Sequence, residues 1–433
     1  MTVLEQLKQE PVFFFTGTPI APGGQGSSMR IYTNLRAYLD LGFRVELIHF
    51  VDAKDKDKAL ILPEGEIRVT QILRQPLEMN RYAQRLTMLL GWPQTFFLDA
   101  MFQIRRQLVS EIEPLFVGHP KALFHFEYDD FASAALSFPG MRAVWSNHDI
   151  LSVRVPLLRK MRADYVGLSG SPISRKVRLA RIRKAEDLVA ESTKLILTIA
   201  EHEQQEFRIR RNYQHAELLP MSWPDEEPVL KQREWMENGV LRLFHLGSID
   251  GFVGFDSLRY ILIDVFPLLE KSILNSLEFW IAGKMSDSRY SKIIMEEAKK
   301  YPNVNFFGFV DDIRDLYGKV DVQLVGGYRA TGLRTRIIES MVYGVPVLST
   351  LESAKGIIGM VNKKNIFLED SAESFALEIK NIVKNPQILA AISSESRRLY
   401  FENYSRDITA KRLGELLEKI FSEKNNERYK AKR

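Results

Sequence analysis

The strongest constraint on this chain is a strand–helix alternation that runs twice, with glycine closing the elements each time. Val12 to Thr16 is a short apolar run, followed by Pro19, Pro22 and the glycines Gly23, Gly24 and Gly26. A helical pattern from about Met29 then places Ile31, Leu35 and Tyr38/Leu39 on one face and stops at Gly42, a natural C′ residue. The segment 44–51, RVELIHFV, reads as a second strand. The same grammar returns at Leu241–Leu246, an apolar run ending at Gly247, then a helix around Ser257–Leu269 and a strand Leu277–Ala282 ending at Gly283. Asn303–Phe307, Val320–Val325 and Val345–Ser349 continue this second series. Strands alternating with helices imply βαβ units and a mostly parallel sheet. The expectation is an α/β protein of two doubly wound Rossmann-like domains.

Length agrees, since 433 residues at roughly 150–200 per domain suggests two domains. The break is best placed at Pro220–Gly239, which has three prolines, an acidic run and no periodicity. We therefore expect an N-terminal domain over 1–222, a linker over 223–239, a C-terminal domain over 240–402, and a final helix with a polar tail over 403–433 that crosses back to the N-terminal domain. Ligands of such sheets sit beyond the carboxyl ends of the strands, so the expected site is a cleft between the domains.

Charge and cysteine content exclude several functions. With 60 Lys+Arg against 55 Asp+Glu the net charge is only +5, which argues against a nucleic-acid partner for the chain as a whole. Zero cysteines removes disulfides, thiolate nucleophiles and thiolate metal sites. Seven scattered histidines form no HExxH or His-x-His cluster, so no metal is expected. No run approaches the ~20 apolar residues of a membrane span. The N-terminus has acidic residues where a signal peptide needs basic ones. A cytoplasmic protein is expected.

Two motifs carry chemistry. In 22–30, PGGQGSSMR, glycines between a strand and a helix let backbone approach a ligand, and the helix N-terminus favours an anion. A dinucleotide fingerprint fits poorly, because Met29 holds the third glycine position; a plain glycine-rich surface loop is the other alternative. In 331–348, TGLRTRIIESMVYGVPVL, a glycine leads into a helix that ends at Gly344 and is followed by a buried strand. Arg336 and Glu339 project from neighbouring turns of one face, while Ile337, Ile338 and Met341 face the sheet. Free N–H groups and two arginines at a helix start suit a diphosphate. A carboxylate one turn on suits ribose hydroxyls. The competing reading is an Arg336–Glu339 ion pair on a solvated face, worth tenths of a kcal/mol.

GLRTRIIESMVYGVPVLST resembles the nucleotide-sugar segment of retaining, family-4-type glycosyltransferases with two Rossmann-like domains, the GT-B fold. The stretches PGGQGSSMRIYTNLRAYLDLGFRVELIHF, LFHLGSIDGFVGFDSLRYILIDVFPLLEKSILNSLEFWIAG and NVNFFGFVDDIRDLYGKVDVQLV resemble, in order, that family's glycine loop, nucleotide-domain opening and base-binding segment. The resemblance covers most of the chain and is weakest from about Ala53 to Phe124. It implies that Gly24 and Gly26 lie beside the donor's phosphates and sugar, and that Val310 meets the base through its backbone. Gly332 and Leu333 would offer amides to the phosphates, Arg334 and Arg336 the cations, and Glu339 would take the ribose. His148, in AVWSNHDI, would contact the donor sugar, against the alternative of a capping or core histidine.

The implied activity is sugar transfer from a nucleotide-diphosphate sugar to a glycan, lipid-linked or protein acceptor, with retention and without a metal or other cofactor. Two departures keep a non-catalytic binding subunit open. Thr331 stands where many relatives carry the first of two glutamates eight positions apart. Ser248 to Phe255 contains no Lys or Arg where relatives often carry a basic pair. A phosphorylase is disfavoured, since no cofactor-lysine motif is visible. Asp129–Asp130 superficially suggests a metal pair but reads as strand-end polar residues on the acceptor side. Arg154–Lys184 holds ten basic residues against one acid, net +9 in 31 residues. That stretch is either a solvated helix face or a docking surface for an anionic membrane, at the inner face of which the protein would then be peripheral, with the apolar stretch Met88–Phe102 as its neighbour.

Overall fold

The computed structural model describes residues 1–22, 26–56, 60–75, 94–166, 172–224, 234–328 and 332–422. The chain divides into two compact units: Met1–Pro156 with Leu168–Pro224 and Arg406–Arg433, and Leu157–Gly167 with Asp225–Ser405. The final helix, Arg406–Phe421, belongs to the first unit, whereas Leu157–Gly167 groups with the second.

The first unit is built on seven strands: β1 (Val12–Thr16), β2 (Val45–Val51), β3 (Ile67–Leu73), β4 (Leu123–Glu127), β5 (Arg142–Ser146), β6 (Leu195–Thr198) and β7 (Ala216–Leu218). Their spatial order is β3-β2-β1-β4-β5-β6-β7, with every pairing parallel. β1 is buried at all five positions. Its unbroken VFFFT run is what a strand covered on both faces requires, because both sides of the pleat must be apolar. The helix Gly26–Asp40 packs Ile31, Leu35 and Tyr38 into one of the covering layers. It ends in a Schellman motif at Gly42, whose φ is +82°, with Gly42 N–H donating to Leu39 O at 2.8 Å and Phe43 N–H to Tyr38 O at 3.0 Å.

The second unit holds six parallel strands: β8 (Leu241–Leu246), β9 (Leu277–Ala282), β10 (Val304–Gly308), β11 (Val322–Val325), β12 (Val347–Thr350) and β13 (Phe367–Glu369), in the order β10-β9-β8-β11-β12-β13. The expected fold class, two parallel-sheet Rossmann-like units, is what forms. The helix expected around Ser257 starts earlier, at Phe252, and passes from α-helix at Arg259 into a π-helical segment, Tyr260–Val265. In each sheet the strand order reverses once, between β1 and β4 and between β8 and β11. Those two points are where open parallel sheets bind ligands.

Within the basic stretch, Lys176, Arg178 and Arg183 are exposed on the helix Pro172–Ser192, beside exposed Ile173 and Val177. Arg154 pairs with Asp149 at 2.5 Å. Residues 167–171, and residues 88–93 of the apolar stretch 88–102, lie outside the described residues. No helix among the described residues is long and apolar enough to cross a membrane.

The C-terminal helix is part of the first unit's core. Leu413 and Leu417 are fully buried in the cluster that contains Phe14, Leu35 and Tyr38. Arg412 donates to Leu218 O at 2.8 Å, and Arg406 pairs with Asp40. Leu413→Ala should therefore destabilise the first unit by about 2–5 kcal/mol, the range for a buried leucine truncated in a packed core. Urea unfolding should show a correspondingly lower midpoint, whereas Glu415→Ala on the exposed face should be near neutral.

Candidate functional site

In the second unit the carboxyl ends of the strands converge on one set of side chains. β8 and β9 end at Gly247 and Gly283, with φ of +143° and +147°. A Cβ on Gly283 would stand 2.1 Å from Gly247 O, and a Cβ on Gly247 would meet the Arg336 guanidinium at 3.0 Å. These glycines let two strand ends and an arginine occupy one small volume. β11 ends at Gly326–Gly327, and the loop beyond is tied down from three sides. Tyr328 N–H donates to Asp256 Oδ2 at 3.0 Å, Ser353 Oγ to Gly326 O and Thr350 Oγ1 to Gly327 O, both at 2.8 Å.

Gly332, with φ +62°, and Leu333 lead through buried Arg334 into the helix Thr335–Val342. Ile337, Ile338 and Met341 are fully buried, and Gly344 closes the helix with a second Schellman motif: its N–H reaches Met341 O at 3.1 Å, and Val345 N–H reaches Ser340 O at 2.8 Å. The solvated Arg336–Glu339 ion pair does not form. Arg336 turns instead to His245 on β8, Nη1 donating to Nε2 at 3.3 Å. Burial lowers the Arg336 guanidinium to about 10, Tyr317 and Glu339 opposing the fall. Burial and the neighbouring Arg336 hold His245 well below the usual imidazole range, so its Nε2 is free to accept. Glu339 is 5% exposed, and burial pushes its carboxyl up to about 8 despite a hydrogen bond from Tyr317 and the charge of Arg336. The Tyr317 ring stacks on Tyr343 at 4.5 Å, and Val310 packs against the cluster containing both. Arg336, Glu339 and Val310 are thus gathered in one region. Thr331 lies outside the described residues.

The first unit assembles a different set at the β1/β4 switch. Gly26 opens its helix, while Gly24 lies outside the described residues. His148 follows β5, its side chain 8% exposed. Its Nε2 is 2.6 Å from Oε2 of Glu127, the last residue of β4. Tyr128 comes next, with φ +72°, and its ring stacks on His148 at 4.0 Å. Asp129 and Asp130 begin the helical turn Tyr128–Ala132. Burial raises both carboxyls, that of Asp130 to about 6 with Arg74 opposing. No three His, Asp or Glu side chains among the described residues are grouped to hold a metal ion.

Sequence reasoning missed Glu127, Tyr128, His245, Asp256 and Tyr317. Glu127 carried a signal, an acid between aromatics at the end of an apolar run. The others gain meaning only from what they touch.

The two parallel-sheet Rossmann-like α/β units are those of the GT-B fold. Residues 244–385, within the second unit, match the family model described as Glycosyl transferases group 1. No curated protein matches the chain in sequence. Among solved structures, Alr3699/HepE of Anabaena in complex with UDP-glucose is similar over 94% of this chain and 99% of its own, at 16% identity and a TM-score of 0.66. Sucrose-phosphate synthase of Thermosynechococcus elongatus is similar over 95% and 99%, at 14% identity and a TM-score of 0.63. A mutant TarM of S. aureus, in complex with Fondaparinux, alpha-GlcNAc-glycerol and UDP, is similar over 94% and 99%, at 11% identity and a TM-score of 0.64.

The two strand-end glycines should respond differently to substitution. Gly283→Ala drives a Cβ into a backbone carbonyl that cannot retreat, so it should lower the urea midpoint of the second unit markedly. Gly247→Ala meets only the end of a flexible side chain, so beyond the backbone strain of about 1–3 kcal/mol it should chiefly displace Arg336. Equal losses of stability in the two variants would contradict this packing.

Proposed function

We propose that this protein is a glycosyltransferase that moves a sugar from a nucleotide-diphosphate sugar to an acceptor hydroxyl with retention of configuration, in synthesis of a surface polysaccharide, glycan or glycolipid. The observation that carries this reading is the coincidence of the group 1 match, 244–385, with the buried Arg336–Glu339 arrangement at the switch point of the second sheet. In this reading Gly332 and Leu333 offer backbone amides to the diphosphate, Arg334 and Arg336 neutralise it without a metal, Glu339 takes the ribose hydroxyls and Val310 lies beside the base. Gly24 and Gly26 serve the donor's phosphates and sugar. His148 acts in turnover on the donor sugar. The acceptor hydroxyl attacks the anomeric carbon from the face the diphosphate leaves, and a leaving-group oxygen takes its proton. The protein's share is orientation and charge stabilisation.

UDP-glucose is the first donor to try, because its diphosphate does not titrate near neutrality. Ribose hydroxyls donate to a carboxylate, so binding favours ionised Glu339, which burial holds at about 8 in the free protein. Affinity should rise as pH rises from about 6 through 8, with proton release on binding. Glu339→Gln should weaken binding and abolish that pH dependence. Arg336→Ala should cost about 1.5–3 kcal/mol, the worth of a lost charged hydrogen bond. Calorimetry in buffers of different ionisation enthalpy checks all three, and a pH-independent affinity would remove Glu339 from the ribose. Tight binding without hydrolysis or transfer would instead select the non-catalytic subunit, which Thr331, in place of the first glutamate that many relatives carry, favours.

The acceptor side is proposed to rest on an anionic membrane through the exposed cations of the helix Pro172–Ser192. Binding to anionic phosphatidylglycerol vesicles should then be strong at low salt and fade as salt screens it. Charge reversal of Lys176, Arg178 and Arg183 to Glu should remove it. Wild-type protein that ignores such vesicles at low salt would leave the stretch a solvated face.

A further inference from the structure

Glu127 is fully buried at the end of β4 and accepts three side-chain hydrogen bonds. Asn34 Nδ2 donates to Oε1 at 2.8 Å, His125 Nε2 to Oε1 at 2.9 Å, and His148 Nε2 to Oε2 at 2.6 Å. Burial disfavours charge on this carboxyl, but the hydrogen bonds that the two imidazoles give it outweigh burial and hold it well below the ordinary carboxylate range.

The directions of these bonds are fixed from the carboxylate. An ionised Glu127 can only accept, so His125 carries its proton on Nε2 and gives it to Oε1. Burial disfavours a second proton on that ring, so its Nδ1 accepts from the Tyr38 hydroxyl, 3.1 Å away. Phe14 stacks on that imidazole at 4.3 Å, and Asn34 is turned by its second bond, to Ser146 Oγ at 3.0 Å. An ionised carboxylate can only accept, so His148 must present Nε2–H to it. His148 Nδ1 has no partner among the described residues. Tyr128 covers the ring face from a left-handed backbone conformation that costs a non-glycine residue about 1–3 kcal/mol. Its hydroxyl is bonded to Ser27 and Thr18, so the stack is anchored at both ends.

We propose that Glu127 and Tyr128 are positioning residues for His148: Glu127 locks it as the Nε2–H tautomer, Tyr128 clamps its plane, and the outward Nδ1 is left as a hydrogen-bond acceptor for a hydroxyl. The proposal rests on the reading of His148 as a residue acting in turnover. The charged and titratable groups around it are Glu127 and His125 from β4, Tyr128 and Asp130 from the turn that follows, and Arg30, which faces Glu127 from the helix Gly26–Asp40. With Nε2–H committed to Glu127, the Nδ1 lone pair beside that anionic carboxylate repels phosphate or carboxylate oxygens, so the group it meets is a donor such as a sugar hydroxyl.

The test is the ¹⁵N–¹H imidazole spectrum of the full-length protein, read in the singly protonated form of each ring, with His148 signals assigned by their loss in His148→Gln. Wild-type His148 should carry its proton on Nε2 and leave Nδ1 bare. Glu127→Ala should move population to the Nδ1–H tautomer and lower kcat for UDP-glucose turnover by about tenfold or more, with KM little changed. Tyr128→Ala should lower kcat with the tautomer retained, and Tyr128→Phe should keep most activity. A wild-type His148 protonated on Nδ1 overturns the proposal even if Glu127→Ala does not fold, and so does a tautomer indifferent to Glu127→Ala. A wild-type rate in His148→Ala with the expected tautomer leaves the positioning intact and removes His148 from turnover.

Discussion

Parallel pairing is the constraint from which the rest follows. Every strand contact in both sheets is parallel, so each strand delivers its carboxyl end to the same edge of its sheet. Return segments must cross a face, and helices cover both sides, so the strands are buried and apolar. Polar side chains are then confined to strand ends and helix starts, and they accumulate at one edge. Glu127 with His148 at the first switch point, and Arg336 with Gly247 at the second, are products of that geometry before they are products of any chemistry.

Two buried glutamates show how the same side chain is set to opposite states. Glu127 has three donors and stays ionised; Glu339 has a phenol hydrogen bond and a nearby guanidinium, and burial still lifts it to about 8. The difference lies in the count and kind of donors, since burial opposes the charge at both. Glu127 thereby fills three of its roughly four acceptor positions within its own unit, which leaves it little to offer a ligand. Glu339 is incomplete. Burial disfavours its ionised form near neutrality, and further donors would favour that form.

Where structure is decided by neighbours in sequence, it was legible. The caps at Gly42 and Gly344 were readable because a left-handed residue after an apolar helix is a local signal, and Val12–Thr16, Leu241–Leu246 and Leu277–Ala282 were readable to the residue as short, mostly apolar runs. β7 and β13, at three residues each, were too short to carry a period, and β3 alternates without apolar continuity along an exposed edge. The helix after β8 begins five residues before its pattern suggests, because Gly254 weakens the periodicity. Its missing side chain is required, since a Cβ there would stand 2.0 Å from Ser248 O. Glu127 could not be matched to His148 in advance because their approach depends on the register that sets Glu127 opposite Ser146 across β4 and β5. Arg336 and Glu339 could be placed on one helix face but not assigned partners, since His245 and Tyr317 come from other elements.

The absence of Lys and Arg from 248–255 looks, in sequence, like a lost cation site. In the structure a cation stands at that strand end, delivered from elsewhere. Arg336 reaches across from the helix Thr335–Val342 to lie against Gly247, with His245 beneath it as a neutral acceptor. A lysine could not replace it on the same terms, because the guanidinium spends one N–H on His245 and keeps others for a ligand, a division its planar fork permits and a single ammonium on a flexible stem does not fix in direction. Glycine at 247 and a neutral His245 are therefore both conditions of this arrangement: a side chain at 247 would fill the space, and a charged imidazole would repel the guanidinium. The cation at the end of β8 is a property of three residues from two elements, and composition of the loop alone gives the wrong sign.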